Sequence, residues 1–233
     1  PFHPANFKAY RQLLELMKQE RFDIVHCNTP VGGLLGRICA KKCQVKHIIY
    51  QVHGFHFYKG APLLNWLVYY PIEKLLARIT DTLITINEED FHKARNFKLR
   101  KGGNVKKING VGIELNYYSH IEPIREKINQ DLNVSNCDKL LISVGELNAN
   151  KNNKVVLQAL SKLGNKNIHY LLCGVGNKKE NLEALAEKLG ISKQVHFLGY
   201  CNNIPELLKA SDIFVMPSYR EGLSRSIMEA MAV

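Results

Sequence analysis

This sequence of 233 residues lacks several marks of specialised proteins: it has no C-x-x-C pair, no signal peptide and no run of about 18 apolar residues. The last two absences predict a cytoplasmic protein without a membrane span. Cys39, Cys43 and His47 have four-residue spacing, but no second ligand pair follows, so we predict no metal site. The six cysteines are scattered, as expected for free thiols in a reducing compartment.

Composition and net charge exclude further classes of protein and indicate the kind of ligand to expect. The chain is 45% hydrophobic and 23% charged, which is ordinary for a globular protein and argues against disorder, collagen and coiled coil. Its net charge of +11 is concentrated in residues 1–120, which hold 18 basic and 9 acidic side chains. That half is expected to attract an anion: nucleic acid, an acidic membrane surface or a phosphorylated substrate. A solvated basic surface without a partner is the open alternative.

Short apolar strands alternate with amphipathic helices along the chain, a pattern typical of parallel sheets covered on both faces. Strands are predicted at residues 22–27, 46–52, 81–86, 105–108, 139–144, 168–173, 194–198 and 212–216. Two such series predict an α/β fold with two doubly wound Rossmann-like domains, at residues 1–120 and 138–233, joined by a linker at 121–137. Both ends fall inside predicted helices, so both domains are expected to be partial.

In such folds ligands bind beyond the carboxyl ends of the strands, so the loops that follow the strands are the expected ligand-binding segments. The last loop places Glu221 and Gly222 before a helix that holds Glu229. Amides of Leu223 and Ser224 at the helix start would bind phosphate, and the two carboxylates would accept hydrogen bonds from sugar hydroxyls. The alternative is a capping Glu221 and a solvated Glu229.

Two further loops follow strands of the second half. In residues 145–152, Lys151 precedes a helix and is suited to neutralise a diphosphate, although a plain surface lysine is the alternative. In residues 173–179, Gly174 and Gly176 resemble part of a dinucleotide fingerprint, but Lys179 replaces the third glycine. A tight glycine turn that lies beside a bound nucleotide is the alternative interpretation of these two glycines.

In the first half, His53 directly follows a strand and is a candidate contact for phosphate or a sugar hydroxyl; a locally bonded loop histidine is the alternative. Gly32 and Gly33 lie in the turn predicted after the first strand and are assigned to the acceptor side. The chain has no D-x-D motif to hold a metal-bound diphosphate, so amides and lysine would have to neutralise it.

The last loop and helix, Glu221-Gly222-Leu223 to Glu229-Ala230-Met231, resemble the E-x7-E signature of the retaining glycosyltransferases of family 4. The segment from Val144 to Asn152 is similar to the phosphate-binding loop of that family. Residues 53–58 and 70–74 resemble its branch for bacterial exopolysaccharide and capsule. The resemblance covers nearly the whole chain.

The resemblance implies a GT-B fold, with two lobes facing a cleft, and a transfer that retains the anomeric configuration. Its implied catalytic residues are His53, Glu221 and Lys151. The implied donor-binding residues are Glu229, Gly222, Leu223, Ser224, Gly145, Glu146, Asn148 and Gly176. It implies no metal or other cofactor. Many members of the family have a phosphate-binding Arg where this chain has Glu146. Glu146 is expected to contact the donor base or sugar rather than phosphate.

The function that follows is sugar transfer from a nucleotide-sugar, with UDP as the commonest carrier, to a lipid-linked or saccharide acceptor in surface polysaccharide biosynthesis. A peripheral position on the inner face of the plasma membrane is expected, and residues 62–70 are a candidate lipid-facing stretch; a core helix is the alternative. A nucleotide-sugar epimerase of GT-B form and a nucleic-acid-binding module are the competing functions. No interleaved aromatic and basic motif supports the latter, so nucleic acid is not an expected partner.

Overall fold

The computed structural model describes residues 4–110 and 112–233. The chain divides into two compact units, Pro1–Val111 and Gly112–Val233. Each unit contains one parallel sheet of four strands with helices packed on it. No helix in the described ranges has both the length and the apolar character needed to cross a bilayer.

The sheet of the first unit has the order β1-β2-β3-β4, with every neighbouring pair parallel. Its core strands are rich in β-branched and aromatic residues, which suit a sheet buried on both faces. The elements are α1 (Ala5–Glu20), β1 (Ile24–Asn28), α2 (Pro30–Lys42), β2 (His47–Val52), α3 (Leu63–Ala77), β3 (Thr82–Thr85), α4 (Glu88–Ala94) and β4 (Asn104–Lys107).

The sheet of the second unit has the order β7-β6-β5-β8 and is also parallel throughout. Its central strands β5 and β6 match the predicted bounds to the residue. The elements are α5 (Leu115–Ser119), α6 (Arg125–Leu132), β5 (Lys139–Val144), α7 (Lys154–Leu163), β6 (Ile168–Cys173), α8 (Lys179–Lys188), a 3-10 turn (Ser192–Gln194), β7 (Val195–Gly199), α9 (Ile204–Ala210), β8 (Ile213–Phe214) and α10 (Arg225–Ala232).

The expected linker at 121–137 instead contains helix α6 and belongs to the second unit. Helix α6 buries Ile128 in the same core cluster as Leu140 of β5. Arg125, the first residue of α6, donates hydrogen bonds to the carbonyl of Ala210 and to the carboxylate of Asp212, both at 2.8 Å. This segment is therefore anchored to the sheet, and the units divide at 111/112 rather than near residue 120.

The turn predicted at 29–33 is shorter than expected, because α2 begins at Pro30. Gly32 and Gly33 consequently lie in the first turn of a helix. Gly33 is buried against Tyr50: a Cβ at this position would lie 2.3 Å from the Tyr50 ring. Its small size thus serves the packing of α2 on the sheet, whereas Gly32 is exposed.

Helix α3 divides the candidate lipid-facing stretch between core and surface. Trp66 and Tyr70 pack against Phe57, with ring centroids 5.6 and 5.3 Å from it. Leu63, Leu64 and Leu67, by contrast, are 74%, 68% and 66% exposed. The aromatic residues therefore belong to the core, and leucines form the exposed face of this helix.

A buried ion pair ties α2 to α3. Arg37 is fully buried, and its Nη2 donates to Glu73 Oε2 at 2.8 Å. Its Nε donates to the carbonyl of Gly33 at 2.7 Å, and its guanidinium lies 3.7 Å from the centre of the Tyr50 ring. The Tyr50 hydroxyl donates to the second oxygen of Glu73 at 3.3 Å. The pair thereby holds the first turn of α2 in place.

Candidate functional site

Two loops at the carboxyl edge of the second sheet are joined by hydrogen bonds. Residues 145–152 follow β5, and residues 217–221 follow β8. Asn150 donates from its amide nitrogen to the carbonyl of Arg220 at 2.8 Å, and its own carbonyl accepts from the amide of Tyr219 at 2.9 Å. Asn152 donates to the carbonyl of Pro217 at 3.3 Å. The two predicted loops thus form one continuous surface.

An ion pair lies at the centre of this surface. Lys151 Nζ is 2.8 Å from Glu221 Oε1, and these side chains are 20% and 26% exposed. Gly145 makes room for the lysine, since a Cβ there would lie 2.9 Å from Lys151 Cε. Two predicted catalytic residues are therefore in direct contact. A cation held in this way is suited to receive a phosphate oxygen.

The glycine turn after β6 supports the loop at 145–152. A Cβ on Gly176 would lie 2.4 Å from the Leu147 carbonyl oxygen, and one on Gly174 would lie 2.0 Å from that of Gly145. The amide of Leu147 donates to the carbonyl of Val175 at 3.0 Å. Gly176, predicted to bind the donor, thus lies against the backbone of the loop and allows the two segments to approach closely.

Glu146 and Asn148 shape the start of the same loop. Asn148 donates from its amide nitrogen to Glu146 Oε2 at 3.1 Å, and its side-chain oxygen accepts from the backbone amide of Lys151, also at 3.1 Å. Glu146 is exposed. A hydrogen-bonded carboxylate at the surface can accept a ligand hydroxyl, whereas its charge opposes a phosphate oxygen.

The start of α10 is open at Gly222 and Leu223, which are both exposed. Ser224 occupies the N-cap position, but its side chain bonds to Ser226 Oγ at 2.9 Å instead of capping the helix amides. The positive end of the helix dipole and the first amides of the helix therefore begin at Ser224, three residues after Glu221 in the chain.

Glu229 lies further along α10 and is 9% exposed. Its Oε1 accepts hydrogen bonds from the Tyr118 hydroxyl and from Arg225 Nε, both at 2.9 Å. Burial, and then the carboxylate, raise the pKa of Tyr118. Sequence reasoning missed Tyr118, which is 111 positions away from Glu229 in the chain. Tyr118 belongs to none of the motifs found in the sequence.

In the first unit, His53 stands at the carboxyl end of β2. Its Nε2 forms a hydrogen bond of 3.0 Å with Asn28 Oδ1, at the end of the neighbouring strand β1, and its side chain is exposed. Thr29 follows with φ 63° and ψ 158°, a backbone conformation that costs energy for any residue but glycine. His53 is thus held at the sheet edge where ligands of such folds bind.

The structure therefore brings some of the predicted residues together and separates others. Within the second unit, the two joined loops hold Lys151, Glu221, Gly145, Glu146 and Asn148, and Gly176 lies against Leu147 of the first loop. Glu229 has different partners, on α5 and α10. His53, Gly32 and Gly33 belong to the first unit. Among the described residues no group of three His, Cys, Asp or Glu side chains is placed to hold a metal ion, Cys39 and Cys43 included.

Family models match both units. Residues 124–233 match the model described as glycosyl transferases group 1. Residues 1–87 match the model described as glycosyl transferase 4-like. The two matches together span most of the chain and cover the Lys151–Glu221 pair, Glu229 and His53.

Curated relatives align with the whole chain. It is 42% identical over 238 residues to the putative glycosyltransferase EpsD of Bacillus subtilis, covering 100% of this chain and 62% of the relative. It is 30% identical over 235 residues to the UDP-Gal:alpha-D-GlcNAc-diphosphoundecaprenol alpha-1,3-galactosyltransferase of Escherichia coli, covering 97% and 60%. The chain spans about three fifths of the length of these relatives.

Solved structures agree with the predicted architecture. Anabaena Alr3699/HepE, crystallised with UDP and glucose, matches with a TM-score of 0.79 at 20% identity, covering 100% of this chain and 63% of that one. At this identity the match establishes the fold. The predicted GT-B fold is confirmed.

Proposed function

This chain belongs to the glycosyl transferases group 1 family, and we propose that the whole protein transfers a sugar from a UDP-sugar to a lipid-linked or saccharide acceptor. The observation that carries the proposal is the Lys151–Glu221 pair on two joined loops beside the open start of α10. One positive group, a helix N-terminus and a carboxylate are the chemistry that a sugar diphosphate requires. The presence of UDP-glucose in Alr3699/HepE supports this donor class.

In the proposed reaction the bond from the anomeric carbon to the diphosphate oxygen breaks. The acceptor oxygen forms the new bond on the same face, and its proton passes to the departing diphosphate. Lys151 and the amides of Gly222, Leu223 and Ser224 stabilise the charge on the departing diphosphate, so no metal is needed for that task. Glu221 holds hydroxyls of the donor sugar, and Glu229 holds the ribose. His53 is the first unit's candidate contact for phosphate or a sugar hydroxyl.

A relative supports the proposed acceptor, and the surface of the first unit supports the proposed setting. The Escherichia coli relative is named for transfer to a diphosphoundecaprenol-linked sugar. We place the protein in surface polysaccharide biosynthesis at the inner face of the plasma membrane. The exposed leucines of α3 provide apolar surface for contact with the membrane. The basic first half provides positive charge that attracts anionic lipid.

Product analysis with the whole protein tests the reaction. Incubation with UDP-sugars and a polyprenyl-diphosphate sugar is expected to yield UDP and a glycoside with the donor's anomeric configuration, read by NMR, at a rate that EDTA does not change. Conversion of the donor without an acceptor would identify an epimerase instead.

Glu229→Ala in the whole enzyme is expected to raise the donor KM at least tenfold, since a charge-assisted hydrogen bond to the donor is lost. An unchanged donor KM would exclude the ribose role of Glu229.

Membrane binding is tested separately. The whole protein is expected to sediment with vesicles containing anionic lipid, and the triple variant Leu63→Ser, Leu64→Ser, Leu67→Ser to lose most of that binding, because three exposed apolar side chains are removed. Leu163→Ser, an exposed leucine of the second unit, is the control. Equal sedimentation of the triple variant and the wild type would exclude α3 as the contact.

A further inference from the structure

The Tyr118 hydroxyl holds the buried carboxylate of Glu229. Tyr118 is 4% exposed and belongs to α5, a five-residue helix that packs on α10. The hydrogen bond of 2.9 Å to Glu229 Oε1 therefore connects two elements that are far apart in the chain. A buried carboxylate needs such partners, because an unpaired charge in the protein interior is strongly unfavourable.

Two groups donate to this oxygen, and their surroundings decide which one holds it more firmly. Arg225 Nε is also 2.9 Å away, but the Arg225 side chain is 71% exposed. Water screens such a pair, and the long side chain loses entropy on being held. The Tyr118 ring is enclosed and moves little. Tyr118 is accordingly the partner that fixes the orientation of the carboxylate.

Both hydrogen bonds to Glu229 found in the described part of the chain end on Oε1. The other oxygen, Oε2, is thereby the one that a ligand can use. Two neighbouring ribose hydroxyls require an acceptor in a set direction, and a carboxylate whose plane is locked presents one without further ordering.

We propose that Tyr118 is a positioning residue for nucleotide binding: it locks Glu229 so that Oε2 faces the ribose of the donor. The inference rests on the proposed ribose role of Glu229. It assigns a task to the hydroxyl alone, since the ring packs in the protein interior. Removal of the hydroxyl should weaken the binding of ligands that contain ribose and spare those that consist of phosphate only.

The experiment compares UDP with inorganic pyrophosphate on the whole enzyme by titration calorimetry. Tyr118→Phe is expected to raise the Kd for UDP and the donor KM about tenfold, the loss of one hydrogen bond to a charged group, with little change in kcat. The pyrophosphate Kd should stay unchanged. Tyr117→Phe, an exposed neighbour on the same helix, is the matched control and should bind both ligands as the wild type does.

Glu229→Ala and the double variant complete the design. If the two residues act as one unit, the double variant should bind UDP no more weakly than Glu229→Ala alone. Weak UDP binding by Glu229→Ala together with normal binding by Tyr118→Phe would reject the positioning role while leaving the ribose role intact. Normal binding by Glu229→Ala would reject the ribose role itself. An equal loss of pyrophosphate binding in Tyr118→Phe would show a general disturbance and overturn the inference.

Discussion

Replacement of Lys151 by Ala is expected to lower the kcat of the whole enzyme by about 10²–10³-fold, the usual cost of removing one preorganised group that stabilises a developing charge. Its ammonium is 2.8 Å from Glu221 and mostly shielded from water. In our proposal, negative charge grows on the diphosphate as the sugar departs. The interaction is therefore stronger in the transition state than with bound donor, and kcat should fall more than KM rises. Steady-state kinetics with varied donor measures both.

Lys154→Ala is the matched control, since Lys154 lies three residues further on and is exposed on α7. The same charge is removed there at a short distance from the loop, and kcat should change by less than about twofold, as for most surface substitutions. A comparable loss in both variants would mean that overall charge, and not the position of Lys151, supports the reaction. A rise in KM with unchanged kcat would restrict Lys151 to donor binding.

Most of the fold was predictable from the spacing of apolar residues and from the residues that begin and end strands and helices. The apolar runs of β5 and β6 are bounded by polar residues, and their predicted ends agree with the structure. Asn87 is a residue type that favours the N-cap position, and its side-chain oxygen accepts from the amide of Asp90 at 2.8 Å at the start of α4. Local signals of this kind suffice wherever one element's sequence determines its own structure.

The contacts that complete the candidate site are long-range and had no local signal. Helix α6 is polar, and its anchorage depends on Arg125 reaching Asp212, 87 positions away. The Lys151–Glu221 contact spans 70 positions, and only the resemblance placed these residues in one site. Tyr118 had neither a motif nor a resemblance to mark it. A side chain whose role depends on a partner distant in the chain is marked by no local sequence pattern, so it can be predicted only when the partner is known.

Replacement of Glu73 by Ala is expected to destabilise the first unit by about 3–5 kcal/mol, the usual cost of leaving a buried charge without its partner. Arg37 is fully buried and, among the residues that the structure describes, would keep the Gly33 carbonyl and the face of the Tyr50 ring as its polar contacts. Trp66 is the single tryptophan of these 233 residues and is partly buried against the core of this unit. Urea unfolding followed by its fluorescence measures the loss.

Removal of both charges should be much less harmful than removal of one. In the double variant Arg37→Leu, Glu73→Leu no buried charge is left unpaired, and apolar side chains occupy the space, so its stability should exceed that of Glu73→Ala. Lys74→Ala, the exposed neighbour on α3, should change the stability by less than about 0.5 kcal/mol. A double variant as unstable as Glu73→Ala would mean that the hydrogen bonds of the pair, and not the penalty of an unpaired charge, hold α2 against α3. The first turn of α2 begins at Pro30, two residues after Asn28, the partner of His53, so the stability of this pair and the order of that sheet edge should change together.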